Sequence, residues 1–259
     1  MRQRQWLSVI ACLLLALVGV GDDLNAQSDR GTSGKQTDRW GGVIAQARRY
    51  VVDSMKACRV PGASMAVSVN GKMVWSEAFG VANVELNVPA TTKTKFRIGS
   101  VSKALTAGAL GLLMKAGKID LDAEIHTYVP SFPAKKFPMT VRQVAGHLAG
   151  IRHYKNEAEF LSQKRYKSVE EGLSIFADDT LLFEPGARYS YSSYGFNLLS
   201  AAMEQASGMD YLTLMQKSVF GPLGMTQTVP EYPDSIISNR SSFYMQDPAA
   251  PLTNASTRT

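Results

Sequence analysis

Cysteine is nearly absent from this chain, which has only Cys12 and Cys58 among 259 residues. Cys12 lies in an apolar N-terminal run, so the rest of the protein holds one thiol and cannot staple itself with an internal disulfide. Histidine is equally sparse. His126, His147 and His153 show no zinc-type spacing with cysteine, so neither a metal site nor any other cofactor is expected. The chain also lacks clustered positive charge. Its net +6 comes from scattered Lys and Arg, without the basic run and interleaved aromatics that would track phosphates, which excludes nucleic acid as a partner. Internal repeats are missing too. What remains is globular composition, 45% hydrophobic and 19% charged, in a chain long enough to bury a sizeable core.

The first 26 residues are organised differently from the rest. Met1 to Gln5 is short and basic, Trp6 to Gly21 is apolar, and Ala26 supplies a small residue for cleavage. This is the layout of a secretory signal peptide over residues 1–26, directing the protein to the periplasm or the extracellular space. The alternative is an uncleaved anchor, the one route to a membrane partner, although sixteen residues are short for a spanning helix. A mitochondrial presequence would be amphipathic and Arg-rich, and this segment is neither. Cleavage after Ala26 removes two Arg and two Asp, so the mature charge is unchanged.

Residues 27–39, "QSDRGTSGKQTDR", read as a flexible polar leader, leaving 40–259 as the folded portion. Apolar residues at 43, 44, 47, 51 and 55 predict a helix over 41–58. Asn70-Gly71, between two β-prone runs, predicts a hairpin over about 62–79. Residues 100–117 are apolar nearly all round, which predicts a buried helix with Gly108 and Gly111 in close packing. Shorter helices are expected at about 140–148, 168–178 and 194–207. Strands first and helices afterwards argue for an α+β fold rather than alternating βαβ units.

Within "FRIGSVSKALTA", Ser100 stands three residues before Lys103. On a helix the two share a face, about 4.5 Å apart along the axis. A serine hydroxyl becomes a nucleophile only when a neighbour takes its proton, and a lysine can do so where burial lowers its pKa. The competing reading makes Ser100 an N-cap and Lys103 an exposed first-turn residue. Of all the serines here, only Ser100 has lysine three places on. A second segment, "FEPGARYSYSSYGFNLLS", sets Tyr191 just before a helix, where a nearby ammonium would favour its phenolate. Equally, Tyr189, Tyr191, Tyr194 and Phe196 could form a core aromatic cluster.

Together, the Ser-x-x-Lys after "FRIG", "TVRQVAGHLAGI" and "PGARYSYSSYGFNLLS" resemble the serine β-lactamase and penicillin-binding-protein superfamily. The likeness falls in the branch of D-alanyl-D-alanine carboxypeptidases, class C β-lactamases and esterases. "HLAGIRHY" and "YSYSSYGFNLLSAAMEQASG" resemble the mitochondrial-type serine β-lactamase-like proteins. The resemblance implies an antiparallel sheet flanked by helices plus a helical subdomain. It also implies a serine hydrolase acting on an amide, peptide, β-lactam or ester: Ser100 is acylated, Lys103 takes its proton and Tyr191 relays protons. The register on Tyr189-Ser190 is the alternative. Asparagine, usual at the third position of the tyrosine motif, is replaced by Ser193, which falls at the substrate-binding position. The third motif, Lys or His followed by Ser/Thr and Gly, is not found, so the C-terminal strands are expected to be missing and the chain to be a fragment. A catalytically silent binding or scaffold module, able to form a homo-oligomer, is the rival expectation. His147 is expected at a structural helix end, and a Ser-His-Asp triad is not.

Overall fold

The computed structural model describes residues 36–162, 164–232, 234–246 and 250–255. The expected signal peptide and residues 27–35 of the expected leader lie outside the described residues. Two compact units are distinguished, the first ending at Arg49 and the second running from Tyr50. In the first, the described residues form the N-terminal part of helix α1 (Gln36–Ala57). The helix therefore takes in the last four residues, 36–39, of the predicted leader. No helix among the described residues is long and apolar enough to cross a membrane.

In the second unit, α1 ends and strands β1 (Gly62–Val69) and β2 (Lys72–Asn83) form the antiparallel hairpin expected from Asn70-Gly71. Both turn residues have positive φ, 51° and 74°, as a two-residue turn matching the strand twist requires. A bulge between Val67 and Ser68 shifts the register. At the open end the chains cross closely. A Cβ on Gly62 would stand 2.2 Å from the Val81 carbonyl oxygen, and one on Gly80 2.1 Å from that of Pro61, so neither position accepts a side chain. Strand β3 (Val88–Pro89) pairs with β2, giving the order β1-β2-β3. Residues 239–242 return beside this sheet: Lys95 N donates to Asn239 O at 2.8 Å and Ser242 N to Ala82 O at 2.9 Å. A second, two-stranded sheet follows, β4 (Tyr244–Met245) with β5 (Thr253–Asn254).

The core lies among the helices rather than on the sheet. It is built from α2 (Ser102–Lys115), α3 (Val141–Ala145), α5 (Val169–Leu173), α6 (Ser193–Ser207), α7 (Tyr211–Met215) and the π-helical turn Gln216–Phe220. Helix α4 (Glu157–Phe160) flanks it. At the centre is α6, whose Leu198, Leu199, Ala202 and Met203 are fully buried. Its limits follow from local chemistry. The Ser192 hydroxyl accepts the Gly195 amide at the N-terminus, and Gly208 adopts φ 71° at the C-terminus. Thr140 and Gln143 form a reciprocal capping box that starts α3.

The predicted all-round burial of the helix after Ser100 is not found. Thr106, Ala109, Leu110 and Leu113 are buried, one face at helical spacing, while Leu112 and Met114 remain 48% and 41% exposed. Nothing described approaches the Cβ positions of Gly108 and Gly111, so they do not mediate close packing. Apolar composition identified the helix, but its neighbours α6, α7 and the π-helical turn cover only one side of it.

Candidate active site

Ser100 sits in a 3-10 turn (Gly99–Val101) that feeds α2, and it is not the cap of that helix. The N-cap position belongs to Val101, which makes no side-chain cap bond. Gly99, at φ 49°, bends the chain into the turn, and the Ser102 hydroxyl ties back to the Gly99 carbonyl at 2.7 Å. Ser100 is thereby left exposed at the positive end of the α2 dipole, with its hydroxyl free to meet residues from elsewhere.

Three side chains meet there. The Lys103 ammonium donates to Ser100 Oγ at 3.2 Å and to Ser193 Oγ at 3.3 Å. The Tyr191 hydroxyl donates to Ser100 Oγ at 2.7 Å. Lys103 Nζ also lies 4.9 Å from the Tyr191 ring centroid and 5.5 Å from that of Phe196. All four residues singled out from the sequence, Ser100, Lys103, Tyr191 and Ser193, are thus in one place. Tyr189, the alternative register, is 63% exposed with its ring against His147.

Burial alone would push the Tyr191 phenol up. The Lys103 and Ser193 side chains and the Ser100 hydroxyl bond outweigh it, holding the phenol below its ordinary value. A phenol so biased can lose and regain a proton beside a serine more readily than a free tyrosine.

The segment carrying Tyr191 is fixed from behind. Gly186, at φ 93°, donates its amide to the Leu148 carbonyl, and Ser190 donates its own to the His147 carbonyl, both at 2.9 Å. The Ser192 hydroxyl donates to the Arg152 carbonyl at 2.7 Å. His147 follows α3 with φ 61°, consistent with the structural place expected for it. Its Nδ1 accepts the Ser192 amide at 3.1 Å, and His153 Nδ1 accepts the Ser193 amide at 3.2 Å. His153 and Arg152 carried no role in the sequence reading. The available signal was the short segment "GIRHY", whose partners at 159, 179, 192 and 193 are distant in sequence. Among the described residues no group of three or more His, Cys, Asp or Glu side chains is placed to hold a metal.

The family profile described as Beta-lactamase matches residues 47–258. The chain belongs to the β-lactamase family, and its fold is β-lactamase/transpeptidase-like. Human mitochondrial serine beta-lactamase-like protein LACTB is 35% identical over 262 residues, covering 75% of this chain and 48% of LACTB. The chain therefore spans about half the length of the curated relatives it matches. Among solved structures, the octameric penicillin-binding protein homologue from Pyrococcus abyssi superposes with a TM-score of 0.70 at 26% identity, covering 82% of this chain and 50% of that one. The D-amino acid amidase from Ochrobactrum anthropi, solved with L-phenylalanine amide, gives 0.65 at 26% identity, with 78% and 59% covered. The α+β expectation, with a small antiparallel sheet and helices, agrees with this fold.

Proposed function

We propose that this β-lactamase-family protein is an exported serine hydrolase that forms an acyl-enzyme at Ser100 on an amide, peptide, β-lactam or ester substrate. The carrying observation is the convergence of Lys103 and Tyr191 on one hydroxyl, 3.2 Å and 2.7 Å away. In the acylation step, Lys103, once it has released one of its protons to solvent, accepts the Ser100 hydroxyl proton as Ser100 Oγ bonds to the substrate carbonyl carbon. Tyr191 then carries a proton to the departing nitrogen or oxygen as that bond breaks, and water later releases the acid. The start of α2 offers its positive dipole end to the developing oxyanion. Ser193, one hydrogen bond from Lys103, orients both the lysine and the substrate. The amidase likeness supports an amide among the substrates. The octameric homologue supports assembly into a homo-oligomer. Export rests on the composition of residues 1–26.

One observation favours a second reading, a binding or scaffold module with weak or no turnover. Ser193 offers one donor where the family's asparagine offers two and a carbonyl acceptor. Covalent labelling by a fluorophosphonate or penicillin probe, read by intact mass, separates the two readings.

Lys103→Arg keeps the charge but leaves a guanidinium that cannot serve as a base. Tyr191→Phe keeps the ring and removes the proton relay. Both variants are expected to label at least ~10²-fold more slowly than wild type, the usual contribution of a positioned acid or base, with melting temperatures nearly unchanged. A variant that unfolds while keeping its specific labelling rate would make that residue structural.

A further inference from the structure

Two imidazoles brace the segment that carries Tyr191, and neither takes part in the acyl transfer proposed above. The backbone amides of Ser192 and Ser193, the two residues directly after Tyr191, donate to His147 Nδ1 at 3.1 Å and His153 Nδ1 at 3.2 Å. A ring nitrogen accepts a hydrogen bond only while it carries no proton. These two contacts therefore assign both rings as the neutral tautomer with its proton on Nε2. The same rings pack on Tyr191 itself. His147 lies 4.5 Å away with a 39° tilt, and His153 stands edge-on at 5.3 Å and 85°. His147 grips the segment a third time through its carbonyl, which accepts the Ser190 amide.

We propose that His147 and His153 are positioning residues that hold the Tyr191 hydroxyl on Ser100 only while both imidazoles are neutral, giving the site a built-in acid switch. This inference rests on the reading of Tyr191 as a proton relay. The titratable groups facing the pair are Lys103 from α2, Tyr189 and Tyr191 from the segment before α6, Tyr154, and each histidine for the other. Protonation would turn each Nδ1 into a donor pointing at an amide that also donates. It would also add positive charge beside Lys103. Both bonds would break, and the 191–193 backbone would move off the serine.

Burial first, and the Lys103 charge second, hold both imidazoles below their ordinary value of 6.5. The folded protein thus binds these protons less readily than the unfolded chain. Stability contributed by the neutral rings is present above pH 6.5 and is lost as the pH falls through the lower folded values. The site is accordingly set to work at neutral pH and to disengage in acid.

The experiment uses the full chain and substitutes each histidine in two ways. Asparagine places a non-titrating oxygen near the Nδ1 position, and phenylalanine keeps a ring with no acceptor. Labelling rates with a fluorophosphonate probe are measured from pH 5 to 8. In parallel, the ring nitrogens and the Ser192 and Ser193 amides are followed by ¹H–¹⁵N NMR. The phenylalanine variants should label on the order of 10²-fold more slowly at pH 7.5, the scale of a misplacement of about 1 Å. The asparagine variants should label near the wild-type rate at pH 7.5, with the variant-to-wild-type ratio rising as the pH falls. In wild type, both rings should report an unprotonated Nδ1 at pH 7, and both amides should shift with the imidazole titration below pH 6.5. A protonated Nδ1 at neutral pH, amides that ignore the titration, or asparagine profiles that superimpose on wild type would overturn the switch. A wild type that never labels, with the NMR coupling intact, would remove the acyl-enzyme reading and leave the clamp standing.

Discussion

Ser100→Ala is expected to abolish covalent labelling and to cut turnover by roughly 10⁴-fold or more, the scale of losing a nucleophile from a unit that acts together. The effect should exceed that of Lys103→Arg or Tyr191→Phe, because those variants keep an oxygen at the reacting position. Stability should change little. Ser100 is exposed in its 3-10 turn, caps no helix, and is bonded through its hydroxyl to Tyr191 and Lys103 alone among the contacts described. Removing Oγ frees the Tyr191 hydroxyl and one donor of the ammonium, both at a site open to water. Intact mass after probe exposure gives the answer directly. Undiminished labelling of the alanine variant would move the nucleophile elsewhere, and loss of labelling accompanied by unfolding would make Ser100 a structural residue.

Much of this site was legible in the sequence because its nucleophile and base are three residues apart on one element. Spacing alone put Ser100 and Lys103 on one face, and the only serine with that spacing is exposed in the fold. Tyr191 needed the family resemblance, since no local rule separates it from Tyr189; the distinction comes from the Gly186 turn and the two histidines that fix the backbone. The hairpin was legible because Asn70-Gly71 is a local conformational requirement. Burial of α2 is not legible in composition, for the opposite reason. Composition counts apolar residues, whereas exposure of Leu112 and Met114 depends on which elements lie against them. Strands β3, β4 and β5, two residues each, have no periodicity to read and exist through long-range backbone bonds. The Arg152 cluster was invisible because its partners lie 7 to 40 residues further along the chain.

That cluster carries the second large expectation, and it links the fold to the site. The Arg152 side chain is 9% exposed, and its guanidinium donates to Glu159 Oε2 at 2.8 Å, to Asp179 and to the Ile175 carbonyl at 3.0 Å. It also lies 5.0 Å from the Tyr194 ring centroid, and Tyr194 donates its hydroxyl to Glu159 at 3.0 Å. Burial and the Glu159 bond together push the Tyr194 phenol up to about 12, so it stays a donor. Arg152→Met keeps most of the volume but takes the guanidinium away from two carboxylates and from the carbonyls of His153 and Ile175. Glu159 and Asp179 remain 21% and 31% exposed, which retains part of their hydration and sets the cost at the low end for a broken buried pair, about 2–4 kcal/mol. In a domain of this size that corresponds to a fall in Tm of roughly 5–15 °C. The pH dependence identifies the cause. Burial raises the Glu159 carboxyl, but the Lys155 amide, Arg152 and Tyr194 bring it below its ordinary value; Asp179 is lowered first by its Arg152 bond. Their contribution is therefore present above the ordinary values of 4.5 and 3.8 and is lost as the pH falls through the lower folded ones. The gap between wild type and Arg152→Met should be full at pH 7 and should narrow only as the pH falls below 4.5 and then 3.8, through the lowered folded values. Adding Glu159→Gln to the variant should recover part of the loss by removing a stranded charge. Labelling at Ser100 should also slow, because the Arg152 carbonyl holds the Ser192 hydroxyl and His153 is the next residue along. Thermal melts of both variants at pH 7 and at pH values well below 3.8 test this, and a gap that persists unchanged in that acid range would mean that lost packing, not lost charge pairing, is the cause.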